Sequence, residues 1–373
     1  MMAVPARADA AQTPDRHGDL SRAGIDALSH DAPAITLEQA ADLAREVYGV
    51  TGEIRALSAE KDANFRITPD SGPRLLLKVT NAAEDRGVTQ MQTDALLHLR
   101  AVAPDLPVPH ICLTLSGHAA HIHKAIDGQE HMVRLLTFLE GVPLSTIPCP
   151  VTLHHDTGRV LARLTHAMRG FFHPAAGHVL QWDIKQAHLL RPMLDAVEDG
   201  NLRTRLTRLI DRFDAEIAPR LLHLRAQVVH NDFNPHNLLV DAREASRLTG
   251  VIDFGDMVHT PLVCDLAVAC SYQIAEGSEP MANIARLLAG YTEVLPLETA
   301  ELDLLPDLMR LRHATILTVG SWRARRYPDN AAYIRRNAAS SLLGLSTLDQ
   351  IGTDAVRDIL RGSARLSLER VTS

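Results

Sequence analysis

Apolar and polar positions repeat along this chain with two different periods, and the change from one to the other divides it. "TLEQAADLAREVYGV" carries Leu37, Ala40, Ala41, Leu43, Ala44 and Val47 at helical spacing. Thr36 with Gln39 makes a capping box and Gly49 stands at the end, so a helix is predicted between them. Strand-like runs follow. "GEIRALS" leads into "AEKDANF", read as a turn, and "RITPDSGPRLLLKVT" holds a second turn at Asp70-Ser71-Gly72-Pro73. Residues 86–100 read as a helix, and "HIHKAIDGQEHMVRLLTFLEGVPL" as two strands around Asp127-Gly128. Residues 35–137 are therefore expected to form a small sheet crossed by one or two helices.

Beyond Gly141 the helical period dominates. "HHDTGRVLARLTHAM", "LRTRLTRLIDRFDAEIAPRLLHL", "LVCDLAVACSYQI", "MANIARLLAGYTEVL" and "LLPDLMRLRHATILTVGSWRARR" all read as helices. Short strands interrupt them at "VVHNDFNPHNLLV" and "LTGVIDFGD". No fixed-period repeat or low-complexity tract intervenes. The expectation is an α+β chain with a sheet-rich N-lobe (35–137), a hinge (138–141) and a mainly helical C-lobe (142–373). Residues 1–34 are rich in Ala, Asp, Arg and Pro and have no apolar h-region, so they read as a flexible tail, not a secretory signal. Five aspartates speak against a transit peptide, and a cytoplasmic location is expected.

Composition narrows the partners. Net charge is −7 at pH 7 and aromatics are 4%, which favours neither nucleic acid nor a base-stacking surface. No apolar run approaches the roughly 18 residues of a membrane span. The four cysteines lack C-x-x-C spacing and read as free thiols. His121 and His123, alternating with Ile122, read as the solvent face of a strand and not as metal ligands. Trp182 and Trp322 read as packing anchors, and Arg323, Arg325 and Arg326 as a solvated helix end.

The candidate chemistry lies in "VVHNDFNPHNLLV". His230, Asp232, Asn234, His236 and Asn237 stand between two runs that favour burial, where unpaired polar groups cost about 1–3 kcal/mol each. Loops on a rigid scaffold are a common seat of chemistry. Asp253 ends the Val251-Ile252 strand of "GVIDFGD", and Lys78 closes Leu75-Leu76-Leu77 before Val79. Phosphoryl transfer from a nucleotide needs parts of these kinds: a carboxylate for the attacking hydroxyl, oxygen donors for Mg²⁺, and a cation for the phosphates.

On these motifs the chain resembles the aminoglycoside phosphotransferase and choline kinase-like superfamily over about residues 40–340. Within it, the polar loop and "GVIDFGDMVHTPLVCDLA" are most similar to the hydroxylysine kinase branch. The resemblance implies a protein kinase-like two-lobed fold with Asp232 as base and Asn237 and Asp253 as Mg²⁺ ligands. It implies Lys78 on the α/β-phosphates and "SAEKDANF" (58–65), with Asn64 and Phe65, as the loop over them. Phe138, Leu139 and Glu140 would present backbone to the nucleobase. GTP or ATP would be the donor and a small cationic amino alcohol or hydroxy amino acid the acceptor, with 5-hydroxylysine first. Homoserine, choline, ethanolamine and aminoglycosides are the competing acceptors. His230 is expected to brace the loop through backbone contacts. Two departures stand out: the phosphate loop has no glycine run, and the helix position that usually pairs with the lysine holds Gln92, with Glu84 and Asp94 nearby.

An amino acid acceptor also needs a carboxylate for its ammonium and a cation for its carboxylate. Asp183 in "WDIKQAHLL" and Arg310 in "LMRLRHATIL" are the candidates. Two rival functions fit the sequence less well. A metallohydrolase built on His230, Asp232 and His236 leaves Asp253 and Lys78 without roles. A non-catalytic nucleotide-binding module fits poorly with intact Asp232 and Asp253.

Overall fold

The computed structural model describes residues 32–59, 61–125, 128–245 and 247–372, with side chains as far as residue 365. Residues 1–31 of the expected tail, Glu60 of the expected phosphate loop and Asp127 of the expected turn lie outside the described residues.

Helix α1 (Leu37–Tyr48) starts at the capping box: Thr36 Oγ1 accepts from the Gln39 amide and Gln39 Oε1 from the Thr36 amide. It ends on Gly49 in the left-handed region, where a Cβ is disfavoured. Its buried face, Ala40, Leu43, Ala44 and Tyr48, packs on an antiparallel sheet. That sheet holds β1 (Glu53–Leu57), β2 (Ala63–Thr68), β3 (Leu75–Val79), β4 (Ile111–Cys112), β5 (His121–Lys124) and β6 (Glu130–Thr137). The order is β1-β2-β3-β6, with β4 and β5 both on the far edge of β6. Helix α2 (Arg86–Val102) connects β3 to β4.

Two expectations need correction. Strand β2 begins at Ala63, inside the stretch read as a turn, because Phe65 is buried against Leu77 in the facing strand. One apolar residue among polar ones gives too weak an alternation to show a strand. In β5 the faces are reversed: Ile122 is 41% exposed, while His121 and His123 are half-buried.

The second region begins at β7 (Val142–Pro143) and continues with α3 (Val151–Ala167) and a 3₁₀ stretch (Ile184–Ala196). Helix α4 (Gly200–Arg212) runs through a π turn into α5 (Ala218–Leu221). Next come β8 (Ala226–Val229), β9 (Leu238–Val240), β10 (Leu248–Val251), β11 (Val258–Pro261), α6 (Leu262–Ser271) and α7 (Ala282–Val294). The chain then forms α8 (Thr299–Arg326), α9 (Ala331–Ile334), α10 (Ala338–Ile351) and α11 (Thr353–Thr372). Strands β10-β9-β7 make one small sheet and β11-β8 another. Helix α8 is buried on every side from Leu304 to Gly320, as a central helix must be.

Among the described residues, two apolar cores result. The smaller joins α1 to the first sheet. The larger unites the helices of the second region, and it also takes in Val88, Met91, Ala95, Leu96 and Leu99 of α2. Among the described residues, no helix is long and apolar enough to cross a membrane.

Candidate active site

The strands flanking the polar loop part company. Strand β8 pairs with β11, whereas β9 pairs with β10, so residues 230–237 bridge two sheets. Leu238 faces Val251 in the β9–β10 register, and the Ile252 amide donates to the Asn237 carbonyl at 2.9 Å. Asn237 is thereby set beside the start of the Asp253 loop.

Asn231 and Asp253 both sit in the left-handed region, at φ 64° and 62°, a conformation that Asn and Asp tolerate better than most residues. The Asn231 amide donates to Asp265 Oδ1 of α6 at 2.8 Å. Burial pushes the Asp265 carboxyl up to about 6, against the opposing pull of His230 and that amide. His230 joins the two loops. Its Nδ1 accepts from the Asp232 amide at 3.3 Å and its Nε2 lies 3.1 Å from the Ile252 carbonyl, which assigns the ring proton to Nε2. Phe254 packs at the edge of the ring, 4.8 Å between centroids. With both nitrogens engaged, His230 has none to offer a metal, and His236 Nε2 lies 3.3 Å from Asn337 Oδ1. Among the described residues, no three His, Cys, Asp or Glu side chains are grouped to hold a metal ion. The hydrolase reading loses its ligand set on that geometry.

Asp232 is half-buried and held at both carboxylate oxygens. Asn237 Nδ2 donates to Oδ2 at 2.7 Å, and Arg312 Nη2 to Oδ1 at 2.8 Å. Asn237 Nδ2 also donates to the Asp232 carbonyl at 3.0 Å, so its amide nitrogen is committed to the loop. Asp253 is exposed, with Oδ1 accepting from the Gly255 amide at 3.2 Å. An amide oxygen and a carboxylate at adjacent strand ends are the hard oxygen donors that Mg²⁺ takes. Asp256 lies among the same groups. Burial pushes its carboxyl up to about 7, Asp232 and Asp253 add to the rise, and Lys61 and Arg312 oppose it.

Lys78 of β3 pairs with Asp62 at 2.9 Å. Burial alone would raise the Asp62 carboxyl, but Lys78, the Asn81 amide and Lys61 outweigh it and hold it below its ordinary value. The partner of Lys78, open in the sequence between Gln92, Glu84 and Asp94, is none of these but Asp62. Gln92 Oε1 accepts from the buried Arg134 at 3.2 Å, while its Nε2 reaches the Gly255 carbonyl at 3.5 Å. Glu84 pairs with Lys61 at 2.6 Å. Asn64 and Phe65 stand within β2, and Phe65 is 3% exposed in the smaller core, so its side chain is withdrawn from any phosphate. In the segment joining the regions, the Phe138 amide donates to the Arg74 carbonyl and Thr249 Oγ1 donates to the Glu140 carbonyl. Leu139 lies against Gly250 of β10.

Both expected acceptor contacts are corrected. Asp183 is buried at the start of the 3₁₀ stretch, where Oδ1 accepts from the Lys185 amide and Thr260 Oγ1. Arg310 is committed to Asp349 Oδ1 at 2.9 Å and to the carbonyls of Leu348 and Pro306. Both serve the scaffold. The arginine at the site is Arg312, two residues on and 2% exposed. Its Nη1 donates to the Trp182 carbonyl at 3.2 Å, and Trp182 and Tyr272 flank its guanidinium. Burial works against its charge, but Tyr272, Asp232 and Asp256 more than offset that. Arg312 and Asp265 have no part in the sequence reading, and Asp62 enters it only as a residue of the phosphate loop, not as the partner of Lys78. Arg312 was present in "LMRLRHATIL", and Asp62 in "SAEKDANF".

The model of the phosphotransferase enzyme family matches residues 53–297 of this chain. Hydroxylysine kinase of Danio rerio is 29% identical over 339 residues, covering 87% of this chain and 94% of that protein. A solved structure of amicoumacin kinase in complex with AMP-PNP, Ca²⁺ and Ami matches with a TM-score of 0.62 at 15% identity, over 86% of this chain and 93% of that one. A microcompartment-associated aminopropanol kinase matches at 0.61 and 18% identity, over 87% and 100%. These likenesses show the kinase-like α+β fold, with its sheet-rich N-terminal region and helical C-terminal region.

Proposed function

The chain belongs to the phosphotransferase enzyme family, and we propose that it moves the γ-phosphate of GTP or ATP to the hydroxyl of a small amino alcohol or hydroxy amino acid, 5-hydroxylysine first. The observation that carries this is the convergence of Asp232, Asn237 and Asp253 at the ends of β9 and β10. The hydroxylysine kinase of Danio rerio, similar along most of both chains, supports the acceptor.

In this reading Asp232 accepts the proton of the acceptor hydroxyl and orients it toward the phosphate. Asn237 and Asp253 would hold Mg²⁺, which supplies charge neutralisation on the phosphates when bound. Lys78, oriented by Asp62, contacts the non-transferred phosphates. Residues 35–137 act as the N-lobe, 138–141 offer backbone to the nucleobase, and 142–373 form the C-lobe of a cytoplasmic enzyme.

The test is Mg²⁺-dependent transfer from GTP and from ATP to 5-hydroxylysine, homoserine, choline, ethanolamine and an aminoglycoside, scored by kcat/KM. Hydroxylysine is expected to lead. Another acceptor leading would replace it and leave the kinase standing. Nucleotide binding with no transfer or hydrolysis would favour the non-catalytic reading, and Zn²⁺-dependent hydrolysis would favour the hydrolase.

A further inference from the structure

We propose that Arg312 is the positioning residue of the transfer site, fixing the plane of the Asp232 carboxylate so that it meets the acceptor hydroxyl. The inference rests on the reading of Asp232 as the base.

Asp232 lies on a loop, and Asn237 of the same loop holds one of its oxygens, Oδ2, at 2.7 Å. A carboxylate held at one oxygen can still turn about that bond. The second fixed point is Arg312 Nη2 on Oδ1 at 2.8 Å, and it comes from α8, 80 residues away in sequence. Two anchors from independent elements define the plane. Misplacing a reacting group by about 1 Å can cost about 10²-fold in rate.

Arg312 is itself immobilised. Nη1 donates to the Trp182 carbonyl at 3.2 Å, while Nη2 also lies 3.4 Å from the Tyr272 hydroxyl. The guanidinium carbon is 5.5 Å from the Trp182 ring centroid and 5.9 Å from that of Tyr272. The two amino groups of one planar fork thus go to different partners, which sets the angle at which Asp232 is met. A lysine offers a single rotating point charge and cannot hold both partners in that geometry. Among the described residues, the hydrogen bonds of Arg312 go to Trp182, Asp232 and Tyr272, and none goes to Lys78, Asp253 or the inter-lobe segment. Its loss should therefore damage turnover and spare nucleotide binding.

The experiment compares full-length Arg312→Lys and Arg312→Met with the wild type, using 5-hydroxylysine and Mg²⁺-nucleotide. Turnover of the folded fraction should fall by about 10²-fold in both. Nucleotide affinity by calorimetry should stay within about twofold, which separates lost transition-state alignment from lost ground-state binding. Added guanidinium, and not an equal concentration of NaCl, should restore part of kcat to Arg312→Ala. A residue that only holds the core would lower the thermal midpoint and leave kcat of the folded fraction near wild type; that result overturns the proposal. If Arg312→Met does not fold, Arg312→Lys decides, and turnover within about threefold of wild type rejects the role. Should the wild type leave hydroxylysine untouched, the acceptor reading fails by itself. The same variants are then compared on slow nucleotide hydrolysis to water, where the same loss is expected and its absence rejects the role of Arg312.

Discussion

Replacing Asp232 by asparagine keeps its shape and removes the carboxylate proposed as the base, together with the charge facing Arg312. Nucleotide binding should survive nearly intact while kcat falls by about 10²–10⁴-fold. Steady-state kinetics beside nucleotide calorimetry checks this, and a few-fold loss would remove Asp232 from the base role. A second residue carries a pH prediction. His313 is buried in α8, and burial, with Arg312 beside it, pushes its pKa down from 6.5 to about 3. Below 6.5 the unfolded chain takes up a proton that the folded chain refuses until about pH 3. Stability should therefore be full above pH 6.5 and decline on acidification toward 3, by about 1.4 kcal/mol per pH unit from this group. His313→Leu should flatten that decline in denaturant melts between pH 7 and 5. An unchanged slope would assign it to other groups. The same helix shows where sequence reading stops. Asp232, Asn237 and Asp253 were legible because polar residues between apolar strands are conspicuous. Arg310 and Arg312 were not separable, because α8 is buried on all sides from Leu304 to Gly320 and has no polar stripe there to show which arginine faces the site.

Among the elements, α3 and α7 meet backbone to backbone. A Cβ on Gly158 would lie 1.9 Å from the Leu287 carbonyl oxygen, and one on Gly290 would lie 2.0 Å from that of His155. The two glycines face each other's helix, and main-chain atoms cannot swing aside as a side chain can. Gly290→Ala is therefore expected to reach or exceed the upper end of the 1–3 kcal/mol typical of overpacking, about 3 kcal/mol. Gly362→Ala in α11, with nothing within 4 Å of its Cβ, should instead gain about 1 kcal/mol from helix propensity. Urea melts of both variants check the pair; a mild Gly290→Ala would mean that the helices can separate without penalty. Both helices were legible from their apolar period, but their close approach was not. A glycine within a helical pattern looks alike whether it faces solvent or a neighbouring backbone. The parting of β8 from β9 was hidden for a similar reason, since a strand-loop-strand pattern does not say which partners each strand takes.

At the scale of the molecule, chain order and packing disagree about α2. It falls between β3 and β4 in sequence, yet its buried face lies in the larger core with the C-terminal helices. The smaller core is left to α1 and the first sheet and draws on Ala40, Leu43, Ala44, Tyr48, Phe65, Ile67, Leu75, Leu77, Val79, Val133 and Leu135. Local opening free energy follows the apolar contacts that an opening breaks. The amides of β1, β2 and β3 should therefore exchange through a cheaper opening than those of α3, α7 and α8. Helix α2 should exchange with the slow group. Mg²⁺-nucleotide would engage Lys78 on β3 and the segment 138–141 at once, so at a hundredfold excess over Kd it should stabilise the sheet by about 2.7 kcal/mol where opening abolishes binding. Native-state hydrogen exchange read by mass spectrometry tests both statements in one experiment. If α2 exchanged with the strands, the boundary would lie at residues 138–141 as the sequence periods suggest. If α2 stays with the slow helices, the physical boundary runs between β3 and α2, and the first sheet moves against a base that already includes Gln92 and its contact with Gly255 in the Asp253 loop.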